Sequence, residues 1–374
     1  MKYKILAGEK VSALGFGAMR LPEKDGKIDE KRSISLIRRC IDSGINYVDT
    51  AFVYHGGESE TLVGKALAGS YRNKAMVATK LPVWLCNEKN DFDNYLNEQL
   101  KKLSREYIDF YMLHALGAGT FERTKKLDII SQMQKAKKEG KIRHIGFSFH
   151  DRFEKFAEII DSYDWEFCQV QYNYMDEEYQ AGTRGLKYAA KKGTGVIVME
   201  PLRGGCLALN VPESVSKIFA SYELKRTAAE WALRFVLDKK EVSLVLSGMN
   251  TQEQADENIR TVASAEPGAL SAGEINIINK AREEFLKLIK VRCTNCGYCM
   301  PCPKGVDIPQ NFSLYNNLFM YAGGGAAKSS YNIFTPPPKR ASSCNNCGEC
   351  VSKCPQKIAI PEELKRAHQA LVNK

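Results

Sequence analysis

Residues 46–60 read Asn46-Tyr47-Val48-Asp49-Thr50-Ala51-Phe52-Val53-Tyr54-His55-Gly56-Gly57-Glu58-Ser59-Glu60. A short apolar run stops on a carboxylate and gives way to a loop carrying a phenol, an imidazole and paired glycines. In a parallel α/β sheet or barrel, polar side chains that do chemistry gather where strands end and the following loops begin. This stretch therefore predicts both a buried strand and the end of the sheet at which to look.

Seven further runs of the same kind flank it. Strand-like segments fall at 14–19, 75–80, 108–114, 144–149, 167–172, 195–200 and 242–247, most of them β-branched or aromatic and nearly continuously apolar. Strands buried on both faces have that composition. Amphipathic helical patterns lie between them, for example at 91–103, 124–139 and 227–238, and a short β segment at residues 3–12 precedes them all. Strict strand–helix alternation through eight units predicts an α/β fold, a (β/α)8 TIM barrel, over residues 1–285. A helical pattern over about 271–290 leads into a second, smaller domain at 286–374, in which the Gly/Ser-rich 322–330 and Pro-rich 336–340 read as loop.

The chain has 374 residues, 44% of them hydrophobic and 26% charged, as expected of a soluble globular protein. No apolar run approaches the roughly 20 residues that span a bilayer. Residues 1–10 carry no apolar core of a signal peptide, so the expected compartment is the cytoplasm. The formal charge of +10 is scattered in pairs such as Lys137-Lys138 rather than gathered in a stripe, which argues against a nucleic-acid partner. A basic surface suits an acidic electron carrier of the ferredoxin or flavodoxin type equally well.

Cysteine carries the next signal. Of twelve, Cys40, Cys86, Cys168 and Cys206 are scattered in or beside apolar stretches and read as small buried hydrophobes. The other eight form two runs: Cys293-x2-Cys296-x2-Cys299-x2-Cys302-Pro303 and Cys344-x2-Cys347-x2-Cys350-x3-Cys354-Pro355. Three cysteines at successive two-residue spacings wrap a cubane, and the fourth of each run ligates the other cluster. Cys293, Cys296, Cys299 and Cys354 are thus expected on one [4Fe–4S] cluster, and Cys344, Cys347, Cys350 and Cys302 on a second. Two zinc sites of four thiolates each are the alternative; the Cys-Pro endings and the duplication favour clusters. The long insertion between the runs holds a helical candidate at 308–321. With it, the module resembles the α-helical dicluster ferredoxin domains appended to larger redox enzymes.

At the predicted strand ends stand Asp49 and Tyr54 after the second strand, Lys80 closing the third, and His114 closing the fourth. Here residues 1–265 resemble the aldo-keto reductase superfamily, whose D-T-A-x-x-Y motif, third-strand Lys and fourth-strand Leu-His match residue by residue. The resemblance implies an oxidoreductase acting on a carbonyl-like small molecule. Tyr54 would protonate the carbonyl oxygen, the Lys80 ammonium would make the phenol more acidic, Asp49 would hold Lys80, and His114 would polarise the same oxygen. His55, where relatives usually have Gly, reads as an ordinary loop residue or a second proton donor.

The same resemblance places a cofactor around Ser148, Gln169, Met199, Pro201, Leu202, Gly204, Ser247, Gly248, Gln254 and Asn258. Phe149 replaces the family's Asn, Met199 its stacking Tyr, and Gly248 and Gln254 its basic residues, so a 2′-phosphate preference is not implied. NAD(P)(H) or FMN is the expected cofactor. Clusters pass single electrons and hydride carries two, so an electron relay through the clusters calls for a flavin as converter. The alternatives are an NAD(P)H-dependent carbonyl reductase with structural or redox-sensing clusters, and a non-catalytic sensor or electron-transfer subunit.

Overall fold

The computed structural model describes residues 1–209, 211–293, 297–321 and 325–372. They form two compact units: Met1–Gly204 with Ala229–Ile275, and Gly205–Ala228 with Asn276–Lys374.

The first unit is a closed barrel of eight parallel strands in sequential order. They are β1 (Leu14–Gly17), β2 (Tyr47–Asp49), β3 (Met76–Leu81), β4 (Ile108–Leu116), β5 (Ile142–Phe149), β6 (Phe167–Gln171), β7 (Gly195–Met199) and β8 (Val242–Ser247). Every predicted strand is present. An antiparallel hairpin, Tyr3–Leu6 with Glu9–Ser12, precedes them. Its Leu6 and Val11 join Tyr47, Ala78, Phe110, Met112, Phe167, Ile197, Leu244 and Leu246 in one buried cluster. Phe110 packs 5.1 Å from Tyr47 and 5.3 Å from Phe167, ring to ring, so the barrel interior is filled rather than open.

Strand periodicity then sets the polar rim. Side chains two residues apart share a face, and register partners on neighbouring parallel strands face the same side. Asp49 pairs with Ala78, and Lys80 with Met112. One step beyond the interior residues Tyr47, Ala78 and Met112 come Asp49, Lys80 and His114, and one step beyond Phe167 and Ile197 come Gln169 and Met199. Gln169 in turn pairs with Ser148. The apolar stack of the interior and the polar layer above it are the same faces of the same strands.

Two details depart from the sequence pattern. The helix expected at 124–139 is two helices, Ala118–Lys126 and Ile129–Lys138, broken at Asp128 with φ +54°; a short acidic side chain tolerates that left-handed turn. Strand β4 runs on to Leu116 through a register irregularity after Leu113, with Ala115 at φ +53°. The bulge sits directly beside His114, where it re-aims the side chain.

In the second unit the helices Ile308–Met320 and Ile360–Val372 pack through Ile308, Phe312, Tyr315, Ile360, Leu364 and Ala367. The stretch expected as loop at 322–330 contains the helix Gly325–Ser329, continued as a π-helix over Ser330–Phe334. Burial of Tyr331, whose hydroxyl meets His368 Nδ1 at 2.8 Å, anchors it. Among the described residues no helix is long and apolar enough to cross a membrane.

Candidate active site

The rim of the barrel brings Asp49, Tyr54, Lys80 and His114 together. Lys80 is fully buried, and its ammonium donates to Asp49 Oδ1 at 2.6 Å and to the Thr50 carbonyl at 2.7 Å. The same ammonium lies 4.7 Å from the centre of the Tyr54 ring. His114 meets that ring edge-on at 5.9 Å, and Trp84 closes on His114 at 5.0 Å.

The electrostatics follow from burial. Desolvation works against the Lys80 charge, yet the Asp49 carboxylate and the Tyr54 phenol more than restore it, so its pKa lies above the ordinary lysine value. Burial pushes Asp49 up, opposed by Lys80. Burial also raises Tyr54, and the Lys80 ammonium only partly reverses it. The sequence reading made the phenol more acidic; in the protein, desolvation outweighs the neighbouring charge and the phenol holds its proton. His114 is driven well below the usual histidine range by burial, the Lys80 charge and His150, and its Nδ1 is buried with no hydrogen-bond partner. A neutral imidazole beside a protonated phenol can present two hydrogen bonds to one oxygen.

Residues that support Lys80 escaped the sequence reading. Gln99 donates to the Lys80 carbonyl at 3.0 Å and to Glu60 at 2.6 Å, and Thr79 donates to the same Glu60 oxygen at 2.6 Å. The Tyr111 hydroxyl donates to Gln99 at 2.7 Å. All four side chains are fully buried. His55 is not aimed at this site. Its Nε2 accepts the Leu21 amide at 3.2 Å while Nδ1 faces Glu23 at 3.2 Å. It sits at φ +50°, a conformation in which relatives' Gly would be unstrained. The loop reading of His55 holds.

Beside these four residues the expected cofactor residues fall into three patches. Ser148 Oγ accepts the Ala115 amide at 2.7 Å, which ties β5 to the bulge of β4. Gln169 is buried, its Nε2 reaching Met199 Sδ at 3.5 Å, while its Oε1 has no partner; an orphaned acceptor next to the rim fits a carboxamide donor. Asn258 donates to Ser247 Oγ at 3.0 Å, and Gln254 accepts the Asn250 amide at 3.0 Å. Gln254 thus braces the loop after β8 where an Arg would have reached outward. Pro201, Leu202 and Gly204 lie in the turn after β7, Gly204 at φ +67°. Phe149, in the place of the family's Asn, is fully buried. A cation the sequence reading passed over lies here: the stem of Arg20 rests on Gly248, and its guanidinium reaches Glu200 at 3.4 Å.

The described cysteines of the two C-terminal runs fall into two sets. Cys293, Cys299 and Cys354 line one pocket with Ile308, Pro309 and Phe312; Cys296 lies outside the described residues. Cys350 is pushed up mainly by burial and further by the neighbouring Cys344, Cys302 and Cys347, so these four lie near one another. Gly297 and Gly348 turn the two runs at φ +78° and +77°. Among the described residues no group of three or more Cys, His, Asp or Glu is arranged to hold a single metal ion; the donor chemistry, thiols in two sets drawn from both runs, fits clusters.

Two asparagines on the helix Ile308–Met320 hold the chain entering each run. Asn316 Oδ1 accepts the Lys290 and Val291 amides at 3.0 and 2.9 Å, and its Nδ2 donates to Val291 O at 2.7 Å. Asn311 Oδ1 accepts the Ala341 amide at 2.7 Å, and its Nδ2 donates to the Asp307 and Lys339 carbonyls at 2.6 and 2.9 Å. Asn311→Leu strands buried backbone groups at about 1–3 kcal/mol. The expected result is earlier loss of visible cluster absorbance in a thermal ramp, with barrel fluorescence unchanged; simultaneous loss of both signals would count against a local role.

Residues 13–283 match the aldo/keto reductase family, and residues 292–360 the 4Fe-4S dicluster domain. L-galactose dehydrogenase of Arabidopsis thaliana is 30% identical over 280 residues, covering 69% of this chain and 86% of its own. The NADH-specific methylglyoxal reductase of Escherichia coli is 26% identical over 296 residues, covering 67% and 89%. Among solved structures, the holo form of an aldo-keto reductase from Bacillus halodurans superposes with a TM-score of 0.63 at 26% identity, covering 75% of this chain and 96% of that one. A Klebsiella pneumoniae aldo-keto reductase in complex with NADPH shares the fold with a TM-score of 0.61 at 22% identity, covering 75% and 95%. The chain is an oxidoreductase that belongs to the aldo/keto reductase family and carries a 4Fe-4S dicluster domain after its barrel.

Proposed function

We propose that the protein interconverts a carbonyl and a hydroxyl on a small polar molecule, an aldose-like sugar or a 2-oxoaldehyde, using NAD(P)(H). The observation that carries this reading is the buried Lys80–Asp49 pair at 2.6 Å with the Tyr54 ring over its ammonium. Tyr54 gives its proton to the carbonyl oxygen, and Lys80 stabilises the phenolate left behind. His114, neutral and half-buried, donates a second hydrogen bond to that oxygen. Asp49 fixes the ammonium, and Trp84 bounds the substrate side of the rim. Nicotinamide supplies the hydride when bound; in this reading Gln169 and Ser148 would take its carboxamide, and Ser247, Gly248, Asn258 and Arg20 the phosphates. The substrate class is carried over from the relatives named above.

The dicluster module, in this reading, holds two [4Fe–4S] clusters, the first on Cys293, Cys296, Cys299 and Cys354 and the second on Cys302, Cys344, Cys347 and Cys350. Anaerobic protein should then contain about eight iron and eight acid-labile sulfide per chain. In Cys344→Ser and Cys293→Ser, each expected to lose a different cluster, both figures should fall toward half. Zinc in place of iron would refute this assignment.

A second reading routes electrons from the clusters through a flavin at the barrel mouth. Met199 favours it, since a thioether next to Gln169 offers no aromatic face for a nicotinamide to stack on. The same anaerobic preparation separates the two. Oxidation of NADH or NADPH coupled to an aldehyde, with no flavin released on denaturation, selects the first; released FMN, with no turnover of either nicotinamide, selects the second.

A further inference from the structure

The catalytic rim is built at the ends of the strands; a second polar cavity lies at their beginnings. It occupies about 290 Å³ beside the entrances of β2 to β5. Because all eight strands are parallel, it lies at the other end of the barrel from Tyr54 and Lys80. Its lining includes Arg72, Lys74, Arg105 and Arg143, and among its lining residues one acid, Asp109.

Charge does not balance there. Asp109 Oδ2 accepts the Val77 amide at 2.9 Å, and its Oδ1 meets Arg143 at 3.3 Å. Arg105 reaches Asp109 only at 4.0 Å. Its remaining contact in the cavity wall is a long one, 3.3 Å from Nη2 to the Ala75 carbonyl. Yet the Arg105 side chain is only 5% exposed. A guanidinium carries five N–H donors in a fixed fork, and these two long contacts leave most of that fork free for a further acceptor in the cavity. Burial lowers the Arg105 pKa, Asp109 raises it, and Arg72 and Arg143 lower it again, so three guanidiniums sense one another across the space. Lys74 is tied to Asp42 at 3.2 Å. Glu9, the other carboxylate that acts on Asp109, faces His144 at 3.5 Å.

The bland account is that cations collect here to neutralise the C-terminal ends of the barrel helices. It covers Arg72, which donates to the Ser104 carbonyl at 2.7 Å just past the helix Asp91–Leu103. It does not cover Arg143, which extends from β5 and stacks over Tyr107 at 4.0 Å, nor the buried Arg105.

We propose that this cavity binds a compact oxyanion, inorganic phosphate or the phosphate of a small phosphomonoester, between Arg72, Arg105 and Arg143. Planar guanidiniums match phosphate oxygens bidentately, and the anion would add a close, bidentate acceptor to the two long contacts that Arg105 makes.

The test uses the full chain with its clusters, purified anaerobically in phosphate-free buffer. Inorganic phosphate and glycerol phosphate are titrated by calorimetry and by thermal melting, against sodium chloride of equal ionic strength. Phosphate should raise the melting temperature where chloride does not, and saturating NADPH should leave the phosphate titration unchanged. The exposed residues give the safest variants: Arg143→Ala and Arg72→Ala should each weaken binding at least about tenfold, and Arg105→Met should abolish it. Comparable affinity for glycerol phosphate assigns the site to a monoester, and phosphate alone assigns it to the free anion. No shift beyond that of chloride, or binding that survives in both Arg143→Ala and Arg72→Ala, overturns the proposal.

Discussion

Tyr54→Phe should lower kcat for aldehyde reduction by about 10²–10⁴-fold and leave the Kd of the nicotinamide within about twofold. The substitution removes one oxygen and keeps the ring that meets His114 edge-on and lies over the Lys80 ammonium, so the pocket keeps its shape. Only the proton goes. The pH behaviour of the wild type follows from the same site. Burial holds the phenol above its usual pKa of about 10, so the acid form persists through neutral and mildly alkaline solution. His114 is depressed well below 6.5 and stays neutral, while Lys80 is raised and stays charged. The reduction rate should therefore be level between about pH 7 and 9 and fall only when the phenol ionises. The reverse reaction, which needs the phenolate, should climb through the same range. Steady-state kinetics on wild type and variant over that range checks it. A Tyr54→Phe enzyme with full turnover would remove Tyr54 from the chemistry and leave the barrel a binding platform.

The barrel and the gathering of Asp49, Tyr54, Lys80 and His114 at its rim are legible for one reason. Strands with a period of two place Tyr47 and Asp49, Ala78 and Lys80, Met112 and His114 on common faces, so a list of strand ends is already a list of rim residues. The two cysteine runs were legible because metal-ligand spacing is local. What escaped was held by packing between distant segments. Gln99 comes from a helix, Glu60 from the helix after the Tyr54 loop and Tyr111 from β4; no pattern within any one of them announces that they close around the Lys80 backbone. Arg20 reads as a surface residue after β1 until Gly248, which has no side chain, is seen to make room for its stem. Asn311 and Asn316 look like weak helix residues, no different in the sequence from Gln310, Ser313 and Asn317 of the same helix. The net acidity of Tyr54 is not legible, because a sequence shows the neighbouring Lys80 charge, which does lower the phenol, but not the burial that outweighs it.

Lys80→Met should cost more than any other single change at this rim, in activity and in stability together. The side chain is matched in length and apolar, so packing changes little. What changes is Asp49. Its carboxylate is 4% exposed, and its partner at 2.6 Å is gone. An uncompensated buried charge of this kind costs about 3–5 kcal/mol. Burial already pushes Asp49 above its ordinary value with Lys80 present, and without the ammonium it rises further. A carboxyl whose folded pKa exceeds its unfolded value, about 3.9, contributes stability that is intact below the unfolded value and lost as pH rises through the folded one. The variant should thus approach wild-type stability near pH 4 and fall progressively behind it toward pH 8. All three tryptophans, Trp84, Trp165 and Trp231, lie in the barrel unit, so denaturant melts followed by their fluorescence read this unit selectively. Adding Asp49→Asn to Lys80→Met should return much of the lost stability, because the charge is removed with its partner, while turnover stays absent. A destabilisation independent of pH, or a double variant no more stable than the single one, would place the cost in packing instead of in the stranded charge. Lys80 would then be a core residue that happens to carry an ammonium, and Tyr54 would have no cation to stabilise its phenolate.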